Sequence, residues 1–309
     1  MISTSALLAT QILRLIRLWK PYSSEELLKK HIAALRAKEL KQARKRPVSS
    51  QWEMDVSTRL IADGRSGQLV ARVLYLPGGA YVEPPLSAHW SFISDMSRRL
   101  QAEFVVVRYP LAPEHSVSDT MGYVLDVYRG LIAKDDLPLF VMGDSAGGGL
   151  ALALLQEAAN QGLKMPCGLV MISPWLDCTM SSVDEQKKLE PKDVMLRRAG
   201  LLAAGRWYAG RLDTVDPMVS PLFGRIDMLP PTLLFGGGRD LLVTDARQFA
   251  EKARGQGLRI EFRDEAEMFH TWPLVPFPFP ERTRAKKEIG KFVRRQLGQD
   301  GGNGSTHPS

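Results

Sequence analysis

The stretch Leu139–Leu154, LFVMGDSAGGGLALAL, constrains the fold of this chain more than any other. A β-branched and aromatic segment (Phe140-Val141-Met142) runs through Gly143-Asp144-Ser145-Ala146-Gly147 into an alanine- and leucine-rich run. The order is strand, sharp turn, helix, with a serine at the turn: the G-x-S-x-G elbow. Such a turn forces strained backbone angles and draws strand and helix together, so side chains at positions 143 and 147 would collide. The helix then sets its N-terminus, with unpaired N–H groups and partial positive charge, beside the Ser145 hydroxyl, where a forming oxyanion would be stabilised. A lone G-x-S-x-G also suits a glycine-rich helix start. The strand before it and the buried helix after it favour the elbow.

Around the elbow, strands alternate with helices. Leu69–Leu76 and Glu103–Tyr109 read as strands, Ser118–Ala133 as a helix, then the elbow strand and its helix to about Gln161. Leu169–Ile172 is a short apolar run of the kind buried in a parallel sheet. Thr232–Phe235 and Arg259–Phe262 fit strands, with a helix over Thr244–Gly255 between them and a last amphipathic helix over Glu281–Leu297. Trp52–Leu60 alternates loosely and Asp63–Gly67 turns. The pattern predicts an α/β fold with a doubly wound, mostly parallel sheet, one domain over 47–297. Asp177–Thr214 interrupts the alternation with a charged stretch and a helix near Val194–Tyr208, an insertion placed above the elbow. The tail 298–309 has no apolar residue and is expected to be disordered.

Residues 1–46 form a separate arm. Leu8, Ile12, Leu15, Ile16 and Trp19 share one helical stripe opposite Arg14 and Arg17. After Lys20-Pro21-Tyr22, Ser23-x-x-Glu26 reads as a capping box opening a second helix with Leu27, Leu28, Ile32 and Leu35 on one face. Both stripes are expected to bury, and with the insertion at 177–214 the arm would form a helical cap. The net charge of +7 resides here: eleven Lys and Arg stand against three Glu in residues 1–46, leaving the rest near neutral. A near-neutral body argues against nucleic acid as a partner. Weak contact of the basic arm with an anionic membrane surface stays open, as does a homodimer. The first stripe is too short and too charged to span a bilayer and lacks a signal peptide's charged start and cleavage site. Cys167 and Cys178 make no disulfide framework or metal spacing, which suits a reducing, cytoplasmic setting.

A serine hydroxyl needs a base to take its proton, and the base needs an orienting group. Of five histidines, His31 lies on the arm, His307 in the tail, and His89 and His115 precede the elbow. Elbow enzymes supply their groups in the order Ser, Asp, His, so His270, between the final strand and the final helix, is the candidate base. For the acid, Phe235-Gly236-Gly237-Gly238-Arg239-Asp240 carries a strand into a glycine-rich turn and leaves Asp240 at the sheet edge where Ser145 emerges. Asp245, inside the next helix, is expected to be exposed. Two glycines in Pro77-Gly78-Gly79-Ala80-Tyr81 follow a strand where a loop of peptide N–H donors belongs.

GDSAGG at 143–148, YPLAPEH at 109–115, SPWLD at 173–177, DPMVSPL at 216–222 and LPPTLLFGGGRDLL at 229–242 together resemble the hormone-sensitive-lipase-like esterases. The resemblance covers about Leu69 to Leu297. It implies an α/β-hydrolase fold with a helical cap, action on carboxylic esters of small to medium size, and no cofactor or metal. By position it implies Ser145 as nucleophile, Asp240 as acid and His270 as base, with the N–H groups of Gly79, Ala80 and Ala146 as oxyanion donors. The chain departs from the family in having Pro77 where His-Gly-Gly-Gly begins, so an imidazole that helps hold the loop is lost. Ala80 adds a methyl near the acyl group. The short gap between the first strands implies that one edge strand is shortened or missing. Lactone-opening, acyl-transfer and cyclising reactions use the same fold, and so does a non-catalytic small-molecule receptor; all three triad positions being filled disfavours the receptor.

Overall fold

A computed structural model describes residues 2–43, 58–61 and 69–299. The expectations for residues 52–57, the turn at 63–67, the end of the basic run at 44–46 and the tail from 300 onward lie outside them.

Seven strands form one sheet in the order β1-β3-β2-β4-β5-β6-β7. They are β1 (Thr58–Ile61), β2 (Ala71–Leu76), β3 (Ala102–Val107), β4 (Leu139–Asp144), β5 (Gly168–Ile172), β6 (Thr232–Gly237) and β7 (Ile260–Glu265). β2 to β7 run parallel; the four-residue β1 pairs antiparallel with β3 at the edge. Parallel strands need covering on both faces, and their side chains alternate between two cores. Leu74, Leu76 and Val141 enter one core, shared with α4 (Val117–Lys134), α5 (Ala146–Asn160) and α8 (Val243–Gly255). Val73, Tyr75 and Met142 enter the other, shared with α3 (Ser87–Leu100) and α9 (Pro280–Gln296). Helix α3 has no counterpart in the sequence reading: its His89, Phe92, Ile93 and Met96 are buried, but polar and charged residues break up the stripe.

The cap joins the N-terminal arm to the insertion. Within 177–214 lie α6 (Val183–Leu189) and α7 (Arg198–Ala209), and a 3-10 turn at Lys20–Ser23 together with α2 (Glu25–Ala43) packs on α7. Leu28 and Ile32 of α2 are buried as expected, each stabilising by about 1.5–3 kcal/mol, while Leu27 is partly exposed. Arg197 stacks on the Trp19 ring at 4.3 Å. Two details of the arm differ from the sequence reading. The helix cap is Ser24, whose Oγ accepts from Leu27 N, because Pro21 winds Ser23 into the preceding turn; Glu26 pairs with Lys30 instead of reaching back. Helix α1 (Thr4–Ile16) also turns the other way about its axis: Ala6, Ala9, Thr10 and Leu13 are buried, and Leu8, Leu15 and Ile16 face solvent. The small side chains let α1 lie close against α9, where Ser3 N and Oγ both donate to the Glu281 carboxylate at 2.7 Å.

Candidate active site

β4 ends at Asp144 and α5 begins at Ala146, so Ser145 alone makes the turn, at φ 51° and ψ −125°. That strain is held by Ser145 N donating to Ile172 O and by Ser145 O accepting from Gly148, Gly149 and Trp175. The flanking glycines are needed sterically. A Cβ on Gly147 would lie 2.0 Å from Leu76 O, and one on Gly143 would lie 2.3 Å from Gly147 O.

His270 comes from the loop between β7 and α9 and Asp240 from the turn after β6, as the chain order implied. Nδ1 of His270 lies 2.8 Å from Asp240 Oδ2 and Nε2 lies 2.9 Å from Ser145 Oγ. A carboxylate only accepts, so Nδ1 carries the hydrogen and Nε2 of the neutral ring accepts from the hydroxyl. Asp240 is fully buried and its Oδ1 accepts from Leu242 N. Burial opposes charge on His270, but the Asp240 carboxylate, by its charge and its hydrogen bond, outweighs it and holds the imidazole above its ordinary value. Ser145 keeps 8% of its surface exposed.

The donor loop stands against this serine: a Cβ on Gly78 would come within 2.9 Å of Ser145 Cβ. Gly79, Ala80 and Tyr81 take positive φ in succession (136°, 51° and 62°), a strained path that needs external support. Tyr109 donates to Pro77 O at 2.6 Å, and Val82 N and Glu83 N fold back onto Gly79 O. Tyr81 is held between Trp175 and Tyr208 of α7, its ring stacked on Tyr208 at 3.6 Å. The arm grips the end of the loop: Tyr22 donates to Glu83 at 2.6 Å, His31 lies 3.4 Å from the same carboxylate, and Arg36 donates to Val82 O. Beside the loop, Pro77, Gly78, Tyr109 and Leu111 help line a cleft of about 400 Å³.

Three carboxylates around the site were not legible as such in the sequence. Asp144, within the elbow motif itself, is buried behind Ser145 and accepts from Tyr75, Gly78 N and His89. His89, set aside for preceding the elbow, thus supplies a buried imidazole below the donor loop. Burial opposes its charge but Asp144 raises it above the ordinary value, and Asp144 is correspondingly lowered. Asp193, from the insertion, accepts from Met195, Leu196 and Leu241 N, the last next to Asp240. Burial, then the Asp240 charge, raises it to about 6. No spacing pattern links position 193 to 240. Asp245 corrects an expectation: it is fully buried, because the chain leaving β5 needs an acceptor for Leu176 N and Asp177 N, which both donate to its Oδ2. It does not touch His270, and burial and Asp177 hold it well above the usual carboxylate range. Among the described residues no cluster of His, Cys, Asp and Glu could hold a metal.

The sequence profile of the α/β-hydrolase fold matches residues 73–274. An esterase from Acinetobacter venetianus is 31% identical, covering 89% of this chain and 96% of the relative. An acetyl-hydrolase from Streptomyces hygroscopicus is 30% identical over 77% of this chain and 78% of its own. The crystal structure of an esterase/lipase from an uncultured bacterium superposes with a TM-score of 0.78 at 28% identity, covering 96% of this chain and 99% of that one. A hormone-sensitive lipase from a metagenome library superposes with a TM-score of 0.73 at 25% identity, over 86% and 91%. The protein is an ester hydrolase, and it belongs to the hormone-sensitive-lipase-like esterases of the α/β-hydrolase fold.

Proposed function

We propose that the protein hydrolyses small to medium hydrophobic carboxylic esters through an acyl-enzyme on Ser145. The observation that carries this reading is the unbroken relay from Asp240 through His270 to Ser145, at 2.8 and 2.9 Å. His270 Nε2 takes the hydroxyl proton as Oγ attacks the ester carbonyl. The tetrahedral oxyanion faces the N–H groups of Gly79, Ala80 and Ala146 and the positive end of α5. Collapse breaks the ester C–O bond, and the His270 imidazolium protonates the departing alcohol. Water then attacks the acyl carbonyl, giving its proton to His270; the acid leaves and Ser145 Oγ regains a proton. Asp240 keeps the ring in the tautomer that both halves need. The cleft beside Gly78 is lined by Arg36, Glu83, Arg108 and Glu114 as well as by Val107 and Leu111, and neither Ser145 nor His270 lines it, so the preference for hydrophobic esters rests on the likeness to the family's esterases.

A fluorophosphonate probe should form one adduct, on the peptide containing Ser145, and none in Ser145→Ala. A panel of chromogenic esters and lactones of graded chain length then separates ester hydrolysis from lactone opening. Labelling that persists in Ser145→Ala would overturn the assignment of the nucleophile, and faster turnover of lactones than of every ester would overturn the substrate class.

A further inference from the structure

Helix α1 carries its largest side chains on the side away from the protein. Leu15 is 80% exposed, Leu8 61% and Ile16 57%, and Leu7 and Leu18 are also open, while the residues facing the body are two alanines, a threonine and one leucine. A surface helix ordinarily turns such residues inward. At 100° per residue, Leu8, Ile12, Leu15 and Ile16 fall within an arc of about 100°, one continuous strip. Ser3 and Glu281 fix the rotation of the helix, so the strip is a held surface.

Charge says what this surface fits. Arg14, Arg17 and Lys20 are exposed and alternate with Leu15, Ile16 and Leu18. Residues 1–24 contain no Asp or Glu. A second copy of the chain, packed strip to strip about a two-fold axis, would bring these cations opposite a helix that itself carries no acid to meet them. A lipid surface with anionic headgroups supplies apolar volume and negative charge together. The helix is about 20 Å long, and no helix among the described residues is long and apolar enough to cross a membrane, so the contact is peripheral.

We propose that the outer face of α1 seats this esterase on an anionic lipid surface, with Leu8, Leu15 and Ile16 in the headgroup–acyl boundary and Arg14, Arg17 and Lys20 on the phosphates. The inference does not depend on how Ser145 acts. It divides the arm into two parts: Tyr22, His31 and Arg36 hold the end of the loop at Val82 and Glu83, and α1 with the exposed Lys20 faces outward.

The test is co-sedimentation of the full chain with vesicles of phosphatidylcholine alone and of phosphatidylcholine with phosphatidylglycerol, at low and high salt. Binding should need phosphatidylglycerol and weaken as salt screens the charges. Combined Arg14→Gln, Arg17→Gln and Lys20→Gln should weaken it on the order of 100-fold, from the usual contribution of a cation near a charged bilayer. Combined Leu8→Ser, Leu15→Ser and Ile16→Ser should abolish it. Both sets should keep wild-type hydrolysis of a soluble chromogenic ester, which verifies folding. Failure of the active wild type to sediment with either vesicle would overturn the proposal, as would wild-type sedimentation of the serine set. Light scattering that gives a lipid-free dimer, broken by the serine set, would assign the face to a second copy instead.

Discussion

Asp240→Asn tests the relay most directly, because the hydrogen bonds of Asp240 dictate how the amide must sit. Oδ1 accepts from Leu242 N at 2.9 Å, and Oδ2 faces His270 Nδ1 at 2.8 Å. An asparagine that keeps its oxygen toward Leu242 N presents its NH2 to Nδ1. The ring must then accept at Nδ1 and carry its hydrogen on Nε2, where it can no longer take the proton of Ser145. The flipped amide keeps the right tautomer but sets NH2 against the Leu242 N–H, leaving buried donors unsatisfied at about 1–3 kcal/mol. Neither orientation serves. The expected loss in kcat is roughly 10²–10⁴-fold, about 3–5 kcal/mol in the barrier, with the fold retained. The pH profile gives a second readout. In the wild type Asp240 raises the His270 pKa, so kcat/KM should fall toward acid with a midpoint above 6.5. Without that carboxylate burial pulls the midpoint down, so the surviving activity extends to lower pH. A folded variant that keeps more than about a tenth of kcat with an unmoved acid limb would refute this placement of the acid.

Substitutions at three further positions probe the surroundings. Gly147→Ala forces a methyl to within 2.0 Å of Leu76 O and should cost about 3 kcal/mol or more; a thermal midpoint equal to wild type would contradict the elbow geometry. Tyr22→Phe removes a hydrogen bond to the Glu83 carboxylate, of the kind that contributes about 1.5–3 kcal/mol, and should lower kcat more than it raises KM, since the loosened loop aims donors at the transition state; a rise in KM alone would argue against that role. Asp245→Ala strands Leu176 N and Asp177 N and should lower the thermal midpoint, whereas Asp245→Asn keeps an acceptor and should be tolerated. Because burial raises the Asp245 pKa, its contribution to stability is full below the ordinary carboxylate value and is lost as pH rises through the raised value, so Asp245→Asn should flatten that decline in denaturant melts.

The parts of this enzyme that were legible in its sequence are those where local chemistry leaves one choice. A serine between two glycines at a strand–helix junction needs the elbow, and a parallel sheet with Asp240 and His270 after its last two strands delivers both to the same edge. Burial on the arm was less legible because periodicity reports an apolar face, not which way it turns. On α1 the close approach permitted by Ala6 and Ala9 decided the orientation over the larger but bulkier leucines. Helix α3 escaped notice for the opposite reason, its inward side including His89 and Ser97. Asp193 and Asp245 could not be assigned from sequence, since each accepts from a backbone N–H group far along the chain, Leu241 N at 48 positions and Leu176 N at 69. A carboxylate that caps distant peptide groups looks in sequence like any surface acid.

The clasp between Ser3 and Glu281 spans 278 positions and ties the first helix to the last. During synthesis α1 emerges well before α9, and its seat does not exist until α9 has been made and folded. Throughout that interval Ala9 and Leu13 on one side and Leu8, Leu15 and Ile16 on the other are uncovered together, so the nascent helix offers apolar residues on two sides at once. The helix that keeps Leu7, Leu8, Leu15 and Ile16 exposed in the finished molecule therefore also waits for a neighbour made long after it. Mutations that slow the closing of α9 onto the sheet, far from Ser145, are therefore expected to lower the yield of folded enzyme in expression trials.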